Sequence, residues 1–513
     1  MNSNGHPRTS RHGSRAASTV QALKPNRLTM ALLATWGALP NAALAANNIT
    51  LTERSPGVTD TATTITPRGG NPNVTDIRTS TVRGDTGFNS FGHFMVDTGN
   101  TVNLYVPTGA NNLVNLVHGS APTINGTLNG LLESSGRIGG NIFFASSHGF
   151  VVNSGGVINV GSLLVTTPSS AKMQELLRIA NGTDSADYDQ LALDLLAGKY
   201  DGGNGTATIG GLVNSAGAID LFAASATVAS AGAVNAGAKV FDATVNTNGS
   251  LDVSAAVRKD GSIRIVADDT VEVSGALRAL MEDNSGAVVQ VAAARGIELK
   301  GSGRIDTTAG AAGLHGGDVT LEAPSIKLSG TSSVVTRASG NGSAGDITLH
   351  AYSDVSCTFC GGDAGDAQTI EELADGLTTQ ASPLLQAKLG KADVAIAAGA
   401  ALDAGHTGTG TGEAGDVDVQ AFAFDRQMAG YAEATSSIKV DGSITGRDVS
   451  LRAAANAHVS ADILNNLLNT GDLASDVSNL VGTLGEEAAW TQIFETLQES
   501  VDYQRVSDLG LLG

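Results

Sequence analysis

Cys357 and Cys360, in Ser-Cys-Thr-Phe-Cys-Gly-Gly, are the only cysteines among 513 residues. A CxxC pair can do redox chemistry or give two thiolates to zinc. Zinc wants further ligands, and neither a second pair nor a histidine stands at the right spacing. A redox site wants a strand-to-helix setting, which the flanks do not offer. In an exported chain the better reading is a local loop disulfide between Cys357 and Cys360.

The histidines outside the first 45 residues are His93, His118, His148, His315, His350, His406 and His458, and no two stand at metal-ligand spacing. No metal site, catalytic residue or cofactor is expected. There is no GxSxG elbow, phosphate-binding loop or complete Gly/Asp calcium nonapeptide. Gly408-Thr-Gly-Thr-Gly412 lacks the strand-helix context of a dinucleotide fingerprint. Asp318, Asp346 and Asp416 recur at one position of a repeated template and could stack in a row. Such a row suits a polysaccharide lyase if a basic residue joins it, and suits a solvated turn otherwise. Arg83-Gly84-Asp85 matches an integrin-type cell-binding triplet, and Gly-Asp is also ordinary turn chemistry. Asn-x-Ser/Thr triplets at Asn48, Asn73, Asn125, Asn181, Asn204, Asn248 and Asn341 are mostly Asn-Gly turn formers.

The elements that must carry these residues are short strands. Phe88 to Thr167 is a series of brief apolar runs: Val102–Val106, Ile142–Phe144, Phe150–Val152, Val157–Val160 and Leu163–Val165. Gly, Asn, Ser and Asp stand between them. Short β-branched and aromatic runs closed by turn formers predict strands. They come too often for helices to lie between them. From Ala207 a template repeats: Gly, a small or polar residue, then an alternating strand. Gly261, Gly286, Gly317 and Gly345 open it at spacings of 25, 31 and 28 residues. The next, Gly415, follows after 70, room for two or three units with an insertion. Secondary strands such as Thr270–Val273, Ile297–Leu299 and Ser325–Leu328 lie between. A rung with one apolar face cannot bury it alone, so similar units stack. The fold class expected is all-β: a right-handed parallel β-helix (solenoid) with an N-terminal cap and helical insertions.

Composition agrees. Gly is 65 of 513 residues, nearly twice the usual ~7%, and aromatics are only 4%. Many corners and a thin aliphatic interior suit stacked rungs. Residues 1–45 hold Arg8, Arg11, Arg15, Lys24 and Arg27 and no acid, then an apolar run from Met30 to Leu39 and Ala43-Leu44-Ala45. This is the pattern of a secretory signal peptide, with cleavage after Ala45. Removing it takes five of 30 basic groups and none of 50 acidic ones, leaving a net charge of −25. Such a chain is a poor partner for nucleic acid or an anionic membrane.

The expected organisation continues with 46–168 as an N-terminal domain and cap. Residues 169–200 form a helical insertion, because Met173, Leu176, Leu177 and Ala180 recur at helical spacing until Asn181-Gly182 stops them. Residues 201–458 hold the repeats, with a side loop over 357–391. Residues 459–513 are amphipathic and helical, from Ile463 to Val501. They cap the coil or begin a further excursion. The abrupt end at Gly513 suggests a fragment or truncated product.

Two stretches carry a family resemblance. Asn89-Ser-Phe-Gly-His-Phe-Met-Val96 and Gly149 through Asn159-Val-Gly-Ser-Leu163 resemble blocks of the N-terminal secretion domain of two-partner-secretion exoproteins, the filamentous-haemagglutinin-like adhesins, including their leukotoxin-type branch. The family's Asn-Pro-Asn-Gly turn is here Ser146-Ser-His-Gly149. The resemblance implies recognition by an outer-membrane transporter partner through Asn89, Phe91, Phe94, Gly149, Asn159 and Gly161. It further implies a secreted or cell-surface location, no enzymatic activity, and binding of a host or neighbouring cell through a receptor or glycan. Two alternatives stay open: a cytotoxin or leukotoxin-like exoprotein of the same fold, and a β-helix polysaccharide lyase or hydrolase.

Overall fold

The computed structural model describes residues 47–55, 57–182, 205–237, 261–355, 391–425 and 435–456. The expected signal peptide, the second half of the expected 169–200 insertion, the expected side loop with Cys357 and Cys360, and residues 457–513 lie outside them. The chain is a parallel β-helix. A typical rung is Val289–Ala293, Gly296–Leu299 and Arg304–Asp306, and the next is Val319–Glu322, Ser325–Leu328 and Ser333–Val335. Each strand pairs in parallel with its counterpart one rung on: Val289 with Val319, Ile297 with Ile326, Ile305 with Val334.

The three strands of every rung make three faces. The third face is a 12-stranded sheet. The first and second merge into a 22-stranded sheet, because Thr86–Val96 bends through both. Its early part pairs with Asn112–Val117, and Met95–Val96 pair with Thr123–Ile124.

The alternation predicted from the sequence produces this interior. In Ile263–Ala267 the burial alternates from one residue to the next, with Ile263, Ile265 and Ala267 inside. In register these positions form columns. Val289, Val319, Ile347 and Val417 make one, and Val291, Leu321, Leu349 and Val419 another, none more than 1% exposed. Burying one such side chain stabilises by roughly 1.5–3 kcal/mol, and only a neighbouring rung can complete that burial. Aromatic rings enter the columns near the N-terminal end, where Phe91, Phe94, Phe144 and Phe150 stack with centroids 5.0–5.4 Å apart.

The N-terminal end is sealed. Asn48–Leu51 runs antiparallel to Thr86–Val96, with a bulge between Thr50 and Leu51. The hairpin of Thr63–Arg68 and Asn71–Thr79 closes the third face. Antiparallel strands at the edge stop the parallel stacking from growing backwards. The described part of the 169–200 insertion is the helix Ser170–Ala180. Ser169 caps it by accepting from the Lys172 amide, and Gly182, at φ 75°, ends it. Met173, Leu176 and Ile179 lie on Phe88, Val114, Leu116, Phe143, Leu164 and Phe222, the outer side of the first face.

One spacing needs correction. The 70 residues from Gly345 to Gly415 hold a single rung, not two or three, since Ile347 pairs directly with Val417. Residues 356–390 of that stretch lie outside the described residues.

Candidate functional site

The residues expected to meet the transporter all lie near the sealed end, and all are structural in the folded chain. Asn89 is wholly buried. Its Oδ1 accepts from Thr63 Oγ1 at 2.8 Å, and its Nδ2 donates to Asn115 Oδ1 at 3.0 Å. Asn115 passes the bond on to the Phe143 carbonyl at 3.1 Å. This short polar ladder ties the cap hairpin to the first rungs. Phe91 and Phe94 lie below it in the aromatic stack. Gly149 has φ 101°, and a Cβ there would sit 2.4 Å from the Thr206 carbonyl oxygen. A Cβ on Gly161 would sit 2.4 Å from the Gly140 carbonyl oxygen. Both glycines mark places where one rung's backbone touches the next.

Asn159 belongs to a longer ladder on the third face. Asn103, Asn129, Asn159, Asn214 and Asn235 occupy the same register position on successive strands. Each Nδ2 donates to the Oδ1 before it, at 3.0, 3.0, 3.1 and 2.9 Å. All five are at least nine-tenths buried. The amide dipoles therefore point the same way, with donors toward the N-terminal end. There Asn103 Nδ2 meets Asp76 Oδ1 at 2.8 Å, so an anion receives the positive end of the row. Arg68 clamps Asp76 at 2.8 Å and also donates to Tyr105 Oη, while Arg78 lies 3.8 Å over the Tyr105 ring. The bond to Asp76 holds the Arg68 guanidinium still more firmly in its charged form. At the far end the next residue in register is Arg278, a cation beside the acceptor end.

Arg83-Gly84-Asp85 forms a turn beside the same rungs. Asp85 accepts from Asn111 Nδ2 at 3.3 Å, Asn112 Nδ2 at 3.1 Å and Thr86 Oγ1 at 3.0 Å. Its carboxylate thus starts another amide pair, since Asn141 Nδ2 donates to Asn112 Oδ1 at 2.8 Å. Arg83 is half-buried, and Gly84 is exposed. Cys357 and Cys360 lie outside the described residues.

The aspartates do stack. The Asp346 amide donates to Asp318 Oδ1 at 2.9 Å, Asp416 to Asp346 at 2.8 Å and Asp448 to Asp416 at 3.3 Å. Arg447 joins at the end, 2.7 Å from Asp416 Oδ2, and holds that carboxyl below the usual range. One oxygen of each upstream aspartate is thus a register peg for the next rung. A second cluster lies on the first face, where His350 Nε2 stands 3.4 Å from Asp418 and His350 Nδ1 3.9 Å from Glu322. Tyr352 packs edge-on to His350, and burial beside Glu322 and Asp418 pushes its phenol up. Among the described residues no group of three or more His, Cys, Asp or Glu could hold a metal ion, and no helix is long and apolar enough to cross a membrane.

Charge separates the two ends of the chain. Residues 46–182 carry seven basic and seven acidic side chains, while 183–513 carry 18 and 43, so the whole net charge of −25 belongs to the later part.

Sequence reasoning did not anticipate the asparagine ladder. Its signal is Asn directly after an apolar residue in five strands: Val-Asn103, Leu-Asn129, Ile-Asn159, Val-Asn214 and Val-Asn235.

A scan against protein-family models finds no match, and no curated protein matches the sequence. Among solved structures, the chain is similar to the HMW1 secretion domain from Haemophilus influenzae. The identity is 13% and the TM-score 0.37, over 80% of this chain and 98% of that one. A likeness at that level carries no functional inference.

Proposed function

We propose that the protein is an exported, adhesin-like exoprotein of the two-partner type, delivered to the cell surface or medium by an outer-membrane transporter. The observation that carries this reading is the construction of the N-terminal end. A signal-type leader is followed at once by a charge-neutral segment that seals one end of a parallel coil. The two stretches through which the sequence resembles secretion domains lie within that segment. Stacked rungs also suit vectorial export. Each rung that forms outside the membrane presents the backbone, the aliphatic column and the side-chain pegs that the next one needs. The acidic later coil is the part displayed to another cell, and its partner there is a receptor or glycan.

The resemblance residues act in this scheme before folding is complete. Phe91, Phe94, Asn89 and Asn159 are buried once the rungs close, so the transporter reads them in the extended chain. The test is expression of the full gene with and without an outer-membrane transporter of the two-partner class. The protein should reach the medium or surface only with the transporter, and the exported material should bind cells without killing them. Export without a transporter, or killing without adhesion, would overturn the reading.

A further inference from the structure

Several threads of the N-terminal cap meet at Ser90, which is 1% exposed. Its carbonyl accepts from the Thr52 amide at 3.1 Å, and its own amide donates to Thr61 Oγ1 at 3.1 Å. Thr61 Oγ1 bonds Thr63 Oγ1 at 2.8 Å, and the Asp60 amide donates to the Thr52 carbonyl at 3.0 Å. The Ser90 hydroxyl meets His118 Nε2 at 3.2 Å. His118 stands at the corner after Asn112–Val117, and its amide donates to the Phe91 carbonyl at 3.0 Å. Two titratable groups act on its ring: Asp60 from the cap, itself buried, and His148 from the next corner. A third histidine, His93, belongs to the previous rung and bonds Ser120 Oγ through Nδ1 at 3.1 Å, two residues beyond His118.

We infer that His118 is an acid-sensitive latch: its protonation in mildly acidic surroundings loosens Thr52 and Asp60–Thr63 from the first rung and bares the edge of Thr86–Val96. The neutral ring has one nitrogen free to accept, and the charged ring has only donors. Ser90 must then turn its hydroxyl proton elsewhere, in a place that water hardly reaches. Burial disfavours the charged ring and outweighs the attraction of Asp60, while His148 adds a like charge in acid, so the imidazole is held below its ordinary value of 6.5. A released or unfolded chain takes the proton at 6.5, and the closed cap takes it only at lower pH. Closure is therefore fully favoured above 6.5 and weakens as pH falls from there to the depressed value. An edge strand freed in this way is a template for another strand.

Hydrogen exchange on the full chain at pH 7.5 and pH 5.5, corrected for the intrinsic rate at each pH, tests this directly. Protection of Thr52, Asp60–Thr63 and Ser90 should fall several-fold at the lower pH, while Ile263–Ala267 and Val289–Ala293 keep theirs. His118→Gln retains an amide that can bond Ser90 and does not titrate, so it should hold the cap equally closed at both pH values. Equal protection of the native cap at both pH values would overturn the proposal, and so would a loss that persists undiminished in His118→Gln. Should that variant leave the cap open at both pH values, the titration of His118 in the native chain decides, read from exchange of its ring C2 hydrogen. A midpoint below 6.5 supports the latch, and one at or above 6.5 overturns it.

Discussion

Replacing Asn159 by alanine should be far more damaging than its size suggests. Asn159 Nδ2 donates to Asn129 Oδ1 at 3.0 Å, and its Oδ1 accepts from Asn214 Nδ2 at 3.1 Å. It is 2% exposed. Alanine leaves a buried acceptor on one side and a buried donor on the other, each costing about 1–3 kcal/mol when water cannot reach it. The loss should be about 2–6 kcal/mol. Asn235 is the control, because it ends the ladder and its removal strands only Asn214 Oδ1. Asn235→Ala should therefore cost about half as much. Urea unfolding of the mature chain measures both, provided the slope with denaturant stays constant. Hydrogen exchange should place the Asn159→Ala damage in Thr127–Leu132, Val157–Val160 and Leu212–Ser215. Equal losses for the two variants, or no loss at Asn159, would refute the idea that a continuous amide row holds the third face.

Other perturbations act on different parts of the coil. Gly149→Ala meets both a left-handed φ and a backbone oxygen 2.4 Å from the new Cβ, so the melting temperature should fall with a loss of about 2 kcal/mol or more. Leu176→Ala should cost about 2–5 kcal/mol and expose Phe143 and Phe222 to protease or dye, because this fully buried side chain is central to the helix contact. Acid should loosen the later rungs. In Asp306, burial pushes the carboxyl up, but bonds from Thr308 outweigh it; in Asp418, bonds from His350 and Gln420 do the same. Both carboxyls are thus held below their ordinary value of 3.8. Their contribution is present above that value and is lost as pH falls through the depressed values. A urea series taken downward from pH 5 should show the loss starting only below about 4, and Asp418→Asn should flatten it.

The stacking itself was legible in the sequence, and the reason is periodicity. A strand such as Ile263–Ala267 shows which face is buried, and the recurrence of Gly-Asp-Ile-Thr-Leu at Gly345 and Gly-Asp-Val-Thr-Leu at Gly317 shows that the unit repeats. The aspartate row was visible for the same reason. The asparagine ladder was not, because its members are separated by 26, 30, 55 and 21 residues, and only the fold makes these gaps equal. The two longer strides step over no extra strand on that face. The gap after Gly345 misled for the converse reason, since counting residues cannot tell one long rung from several short ones. For the candidate site, residue types alone did not show which side chains the fold would bury. Phe91 and Phe94 are three residues apart, so strict alternation would put them on opposite faces; the register irregularity at Gly92 turns both inward. The Asp85 carboxylate reads as a free recognition group until Asn111 and Asn112 are brought beside it by the following rung.

Export from cells carrying the two-partner transporter tests the central claim most directly, by comparing a chain lacking 47–168 with one lacking 435–456. The first should stay inside with its leader removed, and the second should reach the medium in near-native amount. Equal export of both chains, or retention of the second alone, would contradict the assignment of transporter recognition to the sealed end of the coil.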